Sequence, residues 1–79
     1  MTSCIYGVVR ETYELGELRR LSFGIVCYAN PEEDGTLAVV ASVHDISADY
    51  DAVRRLADLC NRLALSPLHL RDVIEDSIW

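Results

Sequence analysis

The feature that most constrains this chain is a two-residue turn, Gly16-Glu17, set between two leucines. The segments on both sides are rich in β-branched and aromatic residues, which favour strands. Glycine at the first central position of a two-residue loop is what a type II′ hairpin turn requires. The sequence therefore predicts an antiparallel hairpin with one strand at Cys4–Leu15 and a second at residues 19–28.

The turn also predicts the register, because side chains alternate between the two faces and cross-strand partners follow by counting. Thr12 is expected opposite Leu21, and Tyr6 opposite Cys27. The most continuous apolar row lies on that face, so we expect it to point into the core; its members are Leu21, Phe23, Ile25 and Cys27.

A third strand is predicted at residues 36–44, after a loop that contains Pro31 and the turn-forming pair Asp34-Gly35. Simple alternation places Leu37, Val39, Ala41 and Val43 on one face and Ala38, Val40, Ser42 and His44 on the other. The loop carries an acidic run that is either functional or only solubilising, Glu32, Glu33 and Asp34.

The apolar period changes from two residues to that of a helix after Ser47, which is a credible N-cap. The stripe of the first helix is Val53, Leu56, Leu59, Cys60 and Leu63. A second helix is expected after Ser66 as cap and Pro67 as first helical residue, with the stripe Leu70, Val73, Ile74 and Ile78. The prediction is one small α+β domain over residues 1–79: a three-stranded antiparallel β-meander followed by two α-helices packed on one face, βββαα.

Two helices on one face leave the other face of the sheet open. That face is apolar where a solvated face would alternate with charge, and exposed apolar patches usually mark partner sites. The alternative is that loop or terminal segments fold over it. Gly7 and Gly24 are expected to leave a shallow hollow on this face. The predicted protein-binding residues are Ile5, Val9, Tyr13, Val26, Tyr28, Val40 and His44.

Charge and cysteine content exclude several classes of function. The formal net charge is -6 and every basic residue is a scattered arginine, so a phosphate-binding basic patch is missing and direct nucleic-acid binding is not expected. No apolar run is long enough to span a membrane, and the first residues lack the pattern of a signal peptide, so we expect neither a membrane span nor a signal peptide. The 3 cysteines are odd in number and widely spaced, with no C-x-x-C pair. This is typical of a reducing, cytoplasmic location.

The pair His44-Asp45 is the most tempting catalytic motif. Adjacent strand residues point to opposite faces, however, so these two side chains are not expected to meet. Asp45 is expected to bond to the local backbone of the strand-to-helix turn. No metal-ligand spacing and no glycine-rich loop is present, so we predict no enzyme activity, no metal and no cofactor. A small enzyme or a ligand-binding subunit, with His44 near the hollow of Gly7 and Gly24, is kept as an alternative.

Several segments together resemble a short domain family of unknown function from clostridial-type Gram-positive bacteria. They cover nearly the whole chain: 6–9, 22–25, 40–47, 59–63 and 65–76. The resemblance implies a cytoplasmic bacterial protein and brings no assigned catalytic or binding residues.

The sequence therefore predicts a non-enzymatic protein-interaction module whose partner is a protein, in the first instance a second copy in a homodimer formed through the open sheet face. The alternative is an acidic inhibitor or antitoxin-like protein that blocks a basic, nucleic-acid-binding groove on a partner; its basis is the net charge of -6 and the acidic run of the loop.

Overall fold

The computed structural model describes residues 4–29 and 38–78. Strands β1 (Cys4–Leu15), β2 (Leu18–Ala29) and β3 (Ala38–Ser47) form one antiparallel sheet in the order β1-β2-β3. Helix α1 (Tyr50–Arg62) follows, and a 3-10 turn (Pro67–His69) leads into α2 (Leu70–Ile78). The predicted α+β meander with two C-terminal helices is confirmed.

The hairpin between β1 and β2 has the predicted turn and register. Gly16 has φ +63°, the left-handed value that the first position of a type II′ turn needs. Thr12 pairs with Leu21, and Tyr6 pairs with Cys27. The pairing runs without a shift along β1 and β2, so counting from the turn assigned every side chain of the hairpin to its correct face.

The core lies between one face of the sheet and the apolar stripes of the two helices. The helical pattern that predicted α1 and α2 also predicts most of their buried sides, since apolar residues at spacings of three and four share a face. Leu63 is the exception in the predicted α1 stripe: it is the C-cap of the helix and is 59% exposed. The buried cluster comprises Tyr6, Phe23, Ile25 and Cys27 from the sheet, Val53, Leu56, Ala57 and Cys60 from α1, and Leu70 and Ile74 from α2. Neither helix in these described segments is long and apolar enough to cross a membrane.

Leu21 is the exception in the predicted core row, since 45% of it is exposed. The helix layer ends near Phe23, whose ring meets Tyr50 of α1 edge-on at 5.3 Å between centroids. Beyond this contact the hairpin continues without cover to the exposed Leu15 and Leu18 beside the turn. The prediction for Leu21 was wrong because twelve-residue strands extend about 40 Å, farther than the helices reach.

Simple alternation fails in β3, because the strand contains a bulge. Cys27 pairs with Ala41 and Tyr28 pairs with Val39, so Val40 is an extra residue. One inserted residue exchanges the faces beyond it. Val39, predicted on the core face, therefore lies beside Tyr28 on the open face and is 58% exposed. The predicted loop and the start of this strand, residues 30–37, lie outside the described residues.

The helix starts follow capping chemistry, with one correction. Asp49 caps α1, its carboxylate accepting the Ala52 N–H. Ser47, the predicted cap, is the last residue of β3, and its Oγ accepts the Asp49 N–H at 3.0 Å. Ser66 is confirmed as the second cap: its Oγ accepts the Leu68 N–H at 3.4 Å, and Pro67 is the first helical residue.

Asn61 joins α1 to the outer edge of β1. The Tyr6 N–H donates to Asn61 Oδ1 at 2.7 Å, and Asn61 Nδ2 donates to the Tyr6 carbonyl at 2.9 Å. The Tyr6 hydroxyl donates to the Leu65 carbonyl at 2.6 Å. One amide side chain thus pairs with both backbone groups of an edge-strand residue, as a neighbouring strand would.

The end of α1 is a Schellman motif with alanine in the glycine position. The Leu65 N–H donates to the Cys60 carbonyl and the Ala64 N–H to the Asn61 carbonyl, each at 3.1 Å. Ala64 has φ +48°. Glycine usually occupies this left-handed position because a Cβ there is crowded by the following carbonyl.

We expect Ala64→Gly to raise the free energy of unfolding by about 0.5–1 kcal/mol, because relief of the left-handed strain exceeds the added entropy of the unfolded chain. The midpoint of urea denaturation measures this. Ala48→Gly is the matched control, since Ala48 is also exposed but has no positive φ and should only lose stability. Equal effects of the two substitutions would contradict the assignment of strain to Ala64.

Candidate functional site

The open face of the sheet is divided into an apolar end and a polar end. Ile5, Tyr28 and Val39 form one cross-strand row, and Val40 follows on β3. We call these four residues the apolar patch. The polar cluster lies toward the hairpin turn and consists of Glu11, Tyr13, Arg20, Ser22, Ser42, His44 and Asp45.

The polar cluster is assembled over Gly24, in the central strand. Phe23 pairs with Ser47 and Ile25 with Val43, so three residues of β3 lie opposite Gly24 alone. A Cβ on Gly24 would lie 2.6 Å from the Val43 carbonyl oxygen and 2.7 Å from Glu11 Oε1. The bare glycine therefore lets a β1 side chain and the bulged β3 backbone meet above β2.

Glu11 is the centre of the cluster, and only 17% of its side chain is exposed. Its Oε1 accepts the backbone N–H of Asp45 at 2.9 Å; its Oε2 accepts from the Tyr13 hydroxyl at 3.2 Å and lies 2.7 Å from His44 Nδ1. Burial opposes ionisation of Glu11, but these hydrogen bonds outweigh burial and lower its pKa below the usual value.

His44 connects Glu11 to Ser42, two positions earlier on the same strand. Ser42 Oγ lies 3.3 Å from His44 Nε2. An ionised carboxylate only accepts hydrogen bonds, so Nδ1 of the imidazole carries the proton that faces Glu11. In the neutral ring the Nε2 lone pair therefore points to the Ser42 hydroxyl. The side chain of His44 is 63% exposed, so this pair is open to solvent.

Asp45 has partners of its own on β2, separate from His44. Arg20 donates to Asp45 Oδ2 at 2.7 Å, and the Ser22 hydroxyl donates to Oδ1 at 2.7 Å. The guanidinium of Arg20 also lies 5.1 Å from the centre of the Tyr13 ring. The Arg20 bond is the main reason that the pKa of Asp45 is lowered. The prediction that the Asp45 side chain bonds to local backbone was wrong, because its carboxylate is occupied by Arg20 and Ser22 of β2. The backbone of Asp45 is left-handed at this point, with φ 54°.

The predicted binding residues fall into two groups, with Val9 and Val26 in neither. Ile5, Tyr28 and Val40 belong to the apolar patch, whereas Tyr13 and His44 belong to the polar cluster. Val9 is half-buried between the two ends. Val26 lies on the predicted face but is only 7% exposed, so it offers little surface to a partner. The expected hollow is also filled at Gly24, by Glu11 and β3.

Sequence reasoning missed most of the polar cluster, because its β3 members reach the β1 and β2 members only through the bulge. The signal that was present is Gly24 itself: a glycine in a central strand marks a bulge or a close approach of backbone. The members that were not predicted as site residues are Glu11, Arg20, Ser22, Ser42 and Asp45.

The thiols are poor candidates for chemistry. Cys27 and Cys60 are buried in the core, and burial raises the pKa of both thiols, which disfavours the reactive thiolate. No group of three potential metal ligands occurs among residues 4–29 and 38–78. The exposed imidazole of His44 and the Ser42 hydroxyl that it contacts remain as candidate reactive groups of the cluster.

We expect Gly24→Ala to lower the free energy of unfolding by about 1–3 kcal/mol, because the new methyl group meets backbone and a carboxylate that cannot both move away. Gly7→Ala is the matched control on the same face: its Cβ would lie 3.8 Å from the Tyr28 ring, an ordinary contact. Urea denaturation midpoints compare the two. A Gly24→Ala protein as stable as the Gly7→Ala protein would contradict the close crossing.

We expect Glu11→Gln to lower stability near neutral pH and to have less effect in acid. A lowered folded-state pKa means that the contribution of Glu11 is complete above its unfolded pKa of about 4.3 and is lost as the pH falls through the lower folded value. Denaturation at about pH 6 and about pH 3 measures the change. Glu14→Gln is the control, since the Glu14–Arg19 pair is exposed and such pairs contribute little. A difference between wild type and Glu11→Gln that is constant with pH would contradict the ionised carboxylate.

Comparison with known proteins identifies a family and no function. The model of a family of unknown function, DUF6514, matches residues 2–79. Comparisons with curated proteins and with solved structures give no match. Since the family match spans nearly the whole sequence, the chain belongs to the DUF6514 family of unknown function.

Proposed function

We propose that this protein is an interaction module that pairs with a second copy of itself through the apolar patch. The observation that carries the proposal is the exposed cross-strand row of Ile5, Tyr28 and Val39, in which the two aliphatic residues are more than half exposed and no member is charged. A contiguous apolar row on a sheet face is costly to leave in water and is typical of an interface.

The charge of the chain restricts where a second copy can bind. With a formal net charge of -6, two copies repel each other at long range, and a stable contact must keep acidic groups apart. The apolar patch satisfies this condition, since it contains no acidic or basic residue. In a two-fold symmetric contact the same surface serves both partners, so the patch of one copy can pack on the patch of the other without opposing carboxylates.

The size of the patch limits the affinity. Three strands spaced about 4.8 Å apart, over two rows of side chains, cover a few hundred Å². A standard stable interface buries about 800 Å² on each partner. We therefore propose a weak dimer, with a Kd on the order of micromolar or above.

The alternative of an acidic inhibitor has less support. Its sequence basis includes Glu32, Glu33 and Asp34, which lie outside the described residues. Within the polar cluster the two central acids already have partners: Glu11 accepts from Asp45 and Tyr13 and contacts His44, and Asp45 accepts from Arg20 and Ser22.

Val39→Glu tests the dimer, because it places a charge in the exposed row and, in a two-fold contact, brings two like charges together. Sedimentation velocity from about 10 to about 500 μM should show concentration-dependent dimerisation of the wild type and at least a tenfold weaker dimer of the variant, about 1.4 kcal/mol.

Leu18→Glu is the matched control: Leu18 is equally apolar and 74% exposed, but it lies beside the hairpin turn, at the opposite end of the sheet from the Ile5–Tyr28 pair of the patch. It should dimerise like the wild type. A wild type that stays monomeric at the highest concentration, or equal weakening by both substitutions, would overturn the proposal.

A further inference from the structure

We propose that Ser42, His44 and Glu11 form an acyl-transfer site that hydrolyses small carboxylic esters. Ser42 is the nucleophile, His44 is the general base, and Glu11 is a positioning residue. The proposal does not depend on dimerisation, because it rests on the polar cluster and on the outer edge of β3.

The geometry is that of an activated hydroxyl. Ser42 Oγ lies 3.3 Å from His44 Nε2, and His44 Nδ1 lies 2.7 Å from Glu11 Oε2. A nucleophile within hydrogen-bond reach of a base, with that base oriented by a third group, is the arrangement that nucleophilic catalysis by serine requires. The order of contacts also assigns the tautomer, since the Glu11 carboxylate holds the proton on Nδ1 and leaves Nε2 free to accept.

The contacts among Glu11, His44 and Ser42 are not required to hold the bulge of β3 in place. Glu11 holds the bulged backbone with Oε1 alone, which accepts the Asp45 N–H. Oε2 is left for the Tyr13 hydroxyl and His44. The contact between His44 and Ser42 joins two side chains of the same strand and links no separate elements of the fold. A purely structural role for Glu11 therefore leaves the Ser42–His44 contact unexplained.

A groove for a substrate lies beside the nucleophile, between β3 and the start of α2. It has a volume of about 400 Å³, and its lining includes Ser42, Pro67, Leu68 and Arg71. This volume falls within the range of small-molecule sites. A second groove of about 200 Å³ includes His44 and shares Val43 and Arg71 with the first. The two catalytic residues thus border neighbouring grooves with partly apolar walls.

Arg71 is the positively charged residue that lines these grooves. It is the one arginine in the lining of both grooves, and it forms no ion pair with another residue in the described part of the chain. The transition state of ester cleavage places negative charge on the carbonyl oxygen, and a nearby guanidinium stabilises such charge.

The reaction balances without a cofactor. Ser42 Oγ bonds to the acyl carbon, and its proton passes to His44 Nε2. The ester C–O bond breaks, and the alcohol leaves with that proton. Water then attacks the acyl-serine, gives a proton to Nε2, and releases the carboxylic acid as the serine recovers its proton. The net change is ester plus water to acid plus alcohol.

The experiment labels the folded protein with an alkyl fluorophosphonate, which forms an Oγ–P bond and releases fluoride. Fragment mass spectra locate the modified serine, and hydrolysis of 4-methylumbelliferyl butyrate gives a rate. We expect labelling at Ser42, none in Ser42→Ala, and loss of about 10²-fold in both rates in His44→Gln. Ser77→Ala, which removes another exposed serine, should react like the wild type. Val39→Glu should also react, which separates this proposal from dimerisation.

Glu11 is tested by how its loss divides between kcat and KM, because a merely structural role would not change kcat per folded molecule. Glu11→Gln removes the carboxylate that fixes the tautomer of His44, so kcat should fall by about tenfold or more while KM stays unchanged. The other charged groups around His44 are Asp45 and Arg20 on the sheet and Arg71 and Glu75 on α2, and all stay unchanged. Labelling spread equally over Ser42, Ser66 and Ser77, or a Ser42 rate that His44→Gln leaves unchanged, would overturn the proposal.

Discussion

The structure depends on the missing side chain of Gly24. The central strand of a three-stranded sheet normally keeps the side chains of its neighbours apart, since each strand fills its own row. At Gly24 the row is empty, and the Glu11 carboxylate and the Val43 carbonyl both occupy space that a Cβ would take. The bulge of β3, the left-handed Asp45 and the hydrogen bonds of the polar cluster all follow from this crossing. A position with no side chain thus determines where the side chains of the other two strands meet.

The parts of the fold that depend on local chemistry could be predicted from sequence. Gly16 determined the turn type, and the turn determined the register of β1 with β2, because a two-residue loop leaves no freedom in the pairing. Ser66 and Pro67 determined the start of the second helical segment, because a capping hydroxyl followed by proline favours a first helical turn at that point. Leu21 could not be placed in this way: its face was correct, but its burial depends on how far the helices extend over the sheet.

The candidate site was predicted less well, because it depends on departures from alternation. Tyr13 and His44 were identified as residues of the open face, whereas Glu11 and Ser42 were not singled out. The bulge at Val40 exchanged the faces of Val39, and the longer bulge opposite Gly24 brought His44 to Glu11 on the far strand. Nothing in a period-two pattern predicts either insertion, since one extra residue costs little locally and is decided by the contacts of the finished sheet.

The bond between Asn61 and Tyr6 has a consequence for how this protein can aggregate. A sheet with two free edges can add strands at both, and identical chains then assemble into open-ended fibres. The Asn61 amide already pairs with both backbone groups of Tyr6, so a foreign strand aligned on β1 must first break two hydrogen bonds at that point. Growth by edge pairing is therefore opposed on the β1 side. If two copies pair through their β3 edges, assembly stops at the dimer, because only the opposed β1 edges remain for a third copy. A single side chain of α1 thereby protects this part of an edge strand against pairing with a foreign strand.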